Sequence, residues 1–527
     1  MQKKKWWTSS MTLVLAVTVL TACSGGGSSP SSETTATASP SVKPKEVVYV
    51  EVAGNTGDAG ANDLTKDDPW VKWIAEKTGV GYTVKYVAWD GGNGYAQRLN
   101  TRISTGDLPD LFLPWGGVET SLIKQGALVE LSKYLPQYAP HIWNGIPKEI
   151  WDVVRTSDPS GKGGIYYIPR VELYNGYGAH IRKDWLDRVG KPIPKTQEEY
   201  VDVLRAFLKE DANGNGDPND EIPVSGREFG RWMDHLFGMY GVAIWEGLPQ
   251  WDIYNGELTY SAVTPNMRDA ILFIRQLYKE KLLDNETFLN SGAEWLNRIH
   301  ADKIGSFFSL PRNANQRLDS IVKTNPKAEL VYLPLPKVKG YNGFVTYTRI
   351  NRPEWVIANK NEATTIAALK LLEFYHDPAN TNDVLNGLEG IDHKVVNGKV
   401  QLIPIDAAKR PSRVLANIIT DLPLVQARFA QELDSVDESR KKLFQMRDQM
   451  VIDSQKDGKP IAGDGIPATI YDNYPDIRKH TMFQEVMTKI VIGAEPIEKF
   501  DEFVELWNKS GGKEVTARAR AWYKQMH

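Results

Sequence analysis

A chain of 527 residues, 41 % hydrophobic and 24 % charged, holds enough apolar mass for two or more domains and enough charge for an ordinary soluble surface. Its formal net charge of −3 gives no sign of the basic excess that nucleic-acid binding calls for, and no nucleic-acid partner is expected. One Cys excludes a disulfide framework, while 16 Trp and 22 Tyr suit flat or ring-shaped ligands.

Lys3-Lys4-Lys5 forms a basic leader, and Met11–Leu20 is an apolar run too short to span a bilayer. Leu20-Thr21-Ala22-Cys23 follows and resembles the bacterial lipoprotein signal, in which the Cys is lipidated and becomes the new N-terminus. Residues 1–22 are therefore expected to be removed, leaving 60 basic against 66 acidic residues. Acyl chains on Cys23 would anchor the protein outside the cytoplasm on the cell membrane. Residues 23–45, rich in Ser, Thr, Gly and Pro, cannot bury enough surface to fold and form a tether.

The β-branched run Val47–Val52 predicts a strand, and Trp70, Trp73 and Ile74 mark a helix ending near Gly79. Tyr82–Ala88 is a second strand, Tyr95–Ser104 a second helix, and Leu111–Leu113 a third strand after the Gly106–Asp110 turn. A helix ending near Lys124 follows. Alternating strands and helices imply a parallel α/β sheet, whose ligands bind beyond the carboxyl ends of the strands. Trp89 and Trp115-Gly116 lie just past two such ends. Gly164–Pro169 and Gly176–Ile181 read as further strands, the second leading into a helix at Lys183–Val189.

Thr196 and Glu199 make a capping box for a helix through Tyr200, Val203, Leu204, Phe207 and Leu208. That helix runs into Asp211–Pro223, where oxygen-bearing side chains at Asp211, Asn213 and Asn215 alternate with glycines at 214 and 216. A hard cation wants six to eight oxygens on a flexible backbone, so this is the first half of a calcium loop. Asp217 can add its carbonyl, and Asp220 and Glu221 supply carboxylates in place of the usual Glu at position 12, where Ile222 sits. A structural Ca2+ is expected here, the alternative being a solvated turn.

Arg227–Trp245 is dense in aromatic and basic residues, and Thr264-Pro265 opens a helix through Met267, Ile271, Ile274 and Tyr278. Ile304–Phe308, Leu330–Leu333 and Trp355–Ala358 read as strands, and Glu362–Tyr375 as a helix. The C-terminal stretch is helical, with Phe500, Phe503, Val504 and Trp507 on one face and Gly511-Gly512 interrupting it.

Cys23, the turn Ser104–Asp110, Gln125-Gly126-Ala127-Leu128, Ile181–Leu186, Leu388-Glu389-Gly390-Ile391-Asp392 and the closing Trp507–Tyr523 region together resemble the carbohydrate-binding lipoproteins that serve ABC importers. The Asp-x-Asn-Gly-Asn-Gly opening and Asp-Glu-Ile-Pro close are similar to the calcium-containing alginate-oligosaccharide binding proteins, with one extra residue before Asp220. The resemblance implies an α/β, two-lobed periplasmic-binding-protein (type II) fold with an interlobe cleft and discontinuous lobes. One lobe is expected at 46–172 plus 348–425, the other at 173–347 plus 426–527. It also implies a monomer that holds an oligosaccharide, closes on it and passes it unaltered to membrane permease subunits.

Sugar rings offer apolar faces for aromatic side chains and a rim of hydroxyls for paired polar groups. Trp115, Trp232, Trp245, Trp295, Phe308 and Tyr341 are the stacking candidates, and Asp110, Arg170, Arg231, Arg312 and Glu389 the polar ones. Arg170, Arg227, Arg231 and Arg312 could serve an acidic sugar, which leaves acidic against neutral ligand open. The competing readings are a surface-anchored glycoside hydrolase, for which no segment nominates a carboxylate pair, and a carbohydrate-binding adhesin or scaffold.

Overall fold

The computed structural model describes residues 46–54, 63–88, 93–403 and 414–526. The expected leader, tether and lipidated Cys23, and Trp89, lie outside these. Ten strands build the two main sheets: β1 Glu46–Gly54, β2 Val80–Ala88, β3 Leu111–Phe112, β4 Ile168–Leu173, β5 Gly178–Arg182, β6 Ile222–Ser225, β7 Ile304–Ser309, β8 Leu330–Leu333, β9 Ile350–Ile357 and β10 Ile419–Asp421. The first sheet runs β10-β4-β9-β3-β1-β2 and the second β8-β5-β7-β6.

Both sheets are mixed, where alternating strands and helices predicted a parallel one. β1 pairs in parallel with β2 and β3, but β9 enters antiparallel between β3 and β4. In the second sheet β7 is parallel to β6 while β5 is antiparallel to β7 and β8. The reversed strands are those reached directly from the other sheet, so no crossover helix precedes them.

The strand expected at Gly164–Pro169 sits instead at Ile168–Leu173. Ile165 is buried, but its backbone bonds go to Leu131 and to the Glu130 carboxylate rather than to a neighbouring strand. β9 begins five residues earlier than Trp355 because its first half pairs with β4.

Helices follow the local signals closely. Asp68 caps Pro69–Thr78, the Thr196/Glu199 box is complete at Gln197–Lys209, and Thr264 caps Pro265–Lys279. One hydrophobic core gathers Val50, Trp70, Leu99, Phe112, Ile168, Trp355 and Leu369; a second gathers Ile181, Trp185, Tyr200, Phe207, Ile271, Phe503 and Trp507. Two cores under two sheets make the two-lobed α/β fold.

Two short crossings join the sheets. Between β4 and β5 the chain has only Tyr174–Tyr177, and Asn175, 1 % exposed, donates to the carbonyls of Tyr177 and Ser454. Before β9, the half-buried Asp464 accepts from the Thr348 hydroxyl (2.7 Å) and from the amides of Arg349 and Ile350. Both crossings are therefore anchored by groups from the C-terminal third of the chain, the Ser454 carbonyl at one and the Asp464 carboxylate at the other.

Candidate ligand cleft

The pairing registers set the carboxyl ends of β1–β4 and β10 on one edge of the first sheet, together with the amino end of β9. In the second sheet the carboxyl ends of β6, β7 and β8 share an edge with the amino end of β5. The four-residue connection Tyr174–Tyr177 links these two edges, and the segments leaving them carry the candidate site.

On the second lobe an aromatic ladder stands at this edge. Phe308 lies between His235 and Tyr177, stacked on each with centroids 5.7 and 6.1 Å away. Tyr177 in turn meets Trp232 at 6.2 Å and the edge of Trp245 at 6.3 Å. Burial drives the His180 and His235 imidazoles down to about 3, so both are neutral.

The loop bearing these rings is strained. Phe229, Trp232 and Glu246 all adopt left-handed backbone, with φ of 62°, 60° and 48°. Each such residue costs on the order of 1 kcal/mol or more and persists where surrounding structure forces it. Here the force is visible: the Asp234 carboxylate accepts from the amides of Glu246 (2.8 Å) and Gly247 (2.9 Å), and the Arg227 amide donates to the Arg231 carbonyl. Gly247 packs so tightly on the Gly230–Arg231 backbone that a Cβ would meet it at 2.9 Å. Burial pushes the Asp234 carboxyl up to about 7, against the pull of those two amides.

Polar groups surround the rings. Arg231 is ion-paired with Glu246, whose other oxygen accepts from the Tyr177 hydroxyl at 3.2 Å. Arg227 pairs with Glu228. On the first lobe Arg170 meets Glu172 at 3.4 Å and Arg352 meets Glu354 at 2.9 Å. Arg312 donates to the Tyr174 hydroxyl.

Trp232, Trp245, Arg231, Arg312 and Arg170 thus gather around the crossing, with Trp115 half-buried beyond the end of β3. Trp295 and Phe308, expected as ligand platforms, are 2 % and 1 % exposed and form the layer behind Trp232 and Tyr177. Asp110 lies at the amino end of β3, the opposite edge, where it accepts from the Tyr49 amide and pairs with Lys360. Tyr341 packs on Tyr240 and bonds Asp269, on the helix Pro265–Lys279. Glu389 is exposed beside the hairpin His393–Leu402. The sequence reading missed Tyr177, Phe229, Asp234 and Glu246. The glycines beside them at 176, 178, 230 and 247 were the available signal.

The Asp211–Pro223 loop curls as its glycines demand, with φ of 75° at Gly214 and 95° at Gly216. Asn213 Oδ1 accepts from the Asn215 amide, Asn215 Oδ1 from the Asp217 amide, and Asp211 Oδ2 from the Gly216 amide. Asp220 accepts from the side-chain amides of Asn213 and Asn215, and Lys303 lies 3.6 Å from it. Asp211 Oδ1 and Glu221 Oε2 are buried without a hydrogen-bond partner. Burial, with Asp220 and Asp211 nearby, raises the Glu221 carboxyl. Among the described residues no three His, Cys, Asp or Glu cluster at metal-binding spacing, so any cation here would lean on amide and backbone oxygens as well.

Comparison with known proteins bears on the whole arrangement. The family model for bacterial extracellular solute-binding proteins matches residues 70–391. Lipoprotein LipO of Bacillus subtilis is 24 % identical over 465 residues, covering 86 % of this chain and 89 % of LipO. The fructooligosaccharide ABC transporter substrate-binding protein FusA of Streptococcus pneumoniae is 27 % identical over 331 residues, 58 % of each chain. The structure of FusA in complex with kestose superposes with a TM-score of 0.65 at 19 % identity, covering 91 % of this chain and 99 % of FusA. The alginate-binding protein AlgQ2, solved without calcium ion, gives 0.63 at 21 % identity, covering 92 % and 98 %. With the matched segment running through both sheets and both crossings, the chain belongs to the bacterial extracellular solute-binding proteins.

Proposed function

We propose that this chain is the substrate-binding lipoprotein of an ABC importer, which holds an oligosaccharide between its lobes and delivers it chemically unchanged to a membrane permease. The observation that carries this reading is the pairing of half-buried Trp232, Trp245 and Tyr177 with the bonded Arg231–Glu246 pair at the carboxyl edge of the second sheet. Rings cover the faces of a sugar while an ion pair offers both donors and acceptors to its hydroxyls. The relatives named for fructooligosaccharide and alginate point the same way. The lobes are 46–172 with 348–425 and 173–347 with 426–527, so the Tyr174–Tyr177 and Thr348–Arg349 crossings act as the hinge.

A glycoside hydrolase needs one carboxylic acid free to give up a proton beside the scissile bond. Glu172, Glu246 and Glu354 are each paired with Arg, and both Asp234 oxygens are taken by backbone amides. This favours capture over cleavage.

Asp211, Asn213, Asn215, the Asp217 carbonyl, Asp220 and Glu221 would hold a structural Ca2+, which would neutralise the loop's acids and pin the end of the helix Gln197–Lys209 to β6. The two buried, unpartnered carboxylate oxygens of Asp211 and Glu221 fit that demand. Lipidation at Cys23 would hold the protein, as a monomer, on the outer face of the cell membrane; Cys23→Ala is expected to release it into the medium.

Isothermal calorimetry of the mature protein against an oligosaccharide panel tests the central claim, with product analysis of the recovered sugar. Stoichiometric binding with intact glycan is the expected result. Cleaved glycan, or no binding across the panel, would overturn it.

A further inference from the structure

Three buried or half-buried arginines in this protein carry two carboxylates each. Arg182 pairs with Asp184 and Asp302, Arg298 with Asp284 and Glu286, and Arg447 with Glu432 and Asp448. Several half-buried arginines depart from this, Arg317 with its unpartnered Nε among them, and two of these share a cavity. Arg312 has a single hydrogen bond, to the Tyr174 hydroxyl at 3.3 Å, and Arg428 has neither hydrogen bond nor ion pair among the described residues. Both line one cavity of about 620 Å³ between the lobes, reached from Tyr174 at the crossing and closed by the helices Leu422–Ser435 and Glu438–Ser454.

The lining has the mixed character of a sugar subsite. Phe429 and Phe444 form an apolar wall, and Arg447 sits over Phe429 with its guanidinium carbon 3.7 Å from the ring centroid. Asn315 lines the same space with a buried Oδ1 that lacks a partner. The cavity adjoins the aromatic ladder, since Arg312 follows Phe308 by four residues and Tyr174 precedes Tyr177 by three. The carboxylates nearest these arginines are already engaged, Glu172 by Arg170 and Glu432 by Arg447. Burial and the neighbouring guanidinium groups of Arg170 and Arg312 lower the affinity of Arg428 for its proton.

We propose that the missing partner is a carboxylate on the transported sugar, so that Arg312 and Arg428 together clamp a uronic acid residue in this cavity. This rests on the carbohydrate-capture reading above and adds the charge of the ligand to it. A planar carboxylate meets two guanidinium groups with up to four charge-assisted hydrogen bonds, whereas a hydroxymethyl group at the same carbon leaves one of them bare. The geometry therefore selects against neutral hexoses as well as for acidic ones.

The test is calorimetric binding of a galacturonate trimer, its methyl ester and a neutral fructo-oligosaccharide to the mature protein and to R312Q and R428Q, with melting curves to verify folding. The acid is expected to bind wild type roughly ten- to a hundredfold more tightly than the ester. Each Gln variant should lose most of that margin while binding the ester as before, and Arg428→Lys should restore part of it. Equal affinity for acid and ester, or variants indistinguishable from wild type, overturns the proposal. Tight binding of the neutral sugar alone also overturns it but leaves the capture reading standing; failure to bind any of the three sinks both. Displacement by millimolar inorganic phosphate without uronate binding would make this a simple anion site and count against a sugar carboxylate.

Discussion

Trp232 lies nearly parallel to Trp295, their ring centroids 5.7 Å apart and their planes inclined by 17°. The two rings have unequal jobs. Trp295 is 2 % exposed, meets the edge of Phe307, and sits in the first turn of the helix Gly292–His300, fixed by the Ser291/Glu294 capping box. Trp232 is half-buried on a residue held at φ 60°. Replacing Trp232 by Ala should weaken oligosaccharide binding about tenfold or more, as loss of an aromatic anchor does, with a small change in melting temperature. Replacing Trp295 by Ala should destabilise the fold by about 3–5 kcal/mol through the cavity it leaves. Calorimetry and urea unfolding on both variants separate the roles; equal effects on binding and stability would mean the rings act as one structural unit.

If Asp211–Pro223 holds calcium, the metal stabilises the folded state by mass action, by about 2.7 kcal/mol when free ion exceeds its dissociation constant a hundredfold. Excess chelator should then lower the melting temperature by several degrees and re-addition of Ca2+ restore it. Sugar affinity should change little, because the loop contacts Asp302, Lys303 and Asn325 rather than any residue of the aromatic ladder. Asp211→Asn should abolish the calcium response. Unchanged melting in chelator, with no calcium by elemental analysis, would leave the loop as a hydrogen-bonded turn.

The contrast between these two sites explains what the sequence could convey. The Thr196/Glu199 box and the Asn-Gly alternation at 213–216 act within one or two turns of chain, so their residue types declare them. The cleft depends on pairs such as Tyr177 with Glu246 and Asp234 with Gly247, 69 and 13 residues apart, whose meeting no local residue pattern announces. A Trp at a strand end looks the same whether it is the wall's face, like Trp232, or its backing, like Trp295. Asp110 shows how narrow the margin is. β3 spans only two residues, so its two ends, at opposite edges of the sheet, are almost adjacent in sequence.

Asp464 gathers three donors from the Thr348–Ile350 crossing onto one half-buried carboxylate. Asp464→Ala would leave these donors without their acceptor, at about 1–3 kcal/mol each. A loss of about 3 kcal/mol or more in unfolding free energy is expected from urea titration, with Asp464→Asn costing less because it keeps an acceptor. A loss under about 1 kcal/mol for the Ala variant would show that the crossing is held by its strand pairing alone.

The Asp234 carboxyl, raised from 3.8 to about 7 chiefly by burial, gives stability a specific pH dependence. Below pH 3.8 it is protonated folded or unfolded, and its contribution is complete. As pH rises the unfolded chain releases the proton first, so the contribution shrinks, and it is lost once the folded carboxyl ionises near pH 7. The full span is about 4 kcal/mol by linkage. Glu246, which opposes ionisation, and Arg231, which favours it, are the charges acting on Asp234, so the loop that positions Trp232 and Trp245 should loosen over the same range. Asp234→Asn cannot titrate. The difference in melting temperature between wild type and this variant should therefore fall steadily from pH 4 to 7.5, with ligand affinity of the wild type declining alongside. Parallel melting curves for the two proteins across that range would show that Asp234 is already ionised in the fold and that its two amide bonds outweigh its burial.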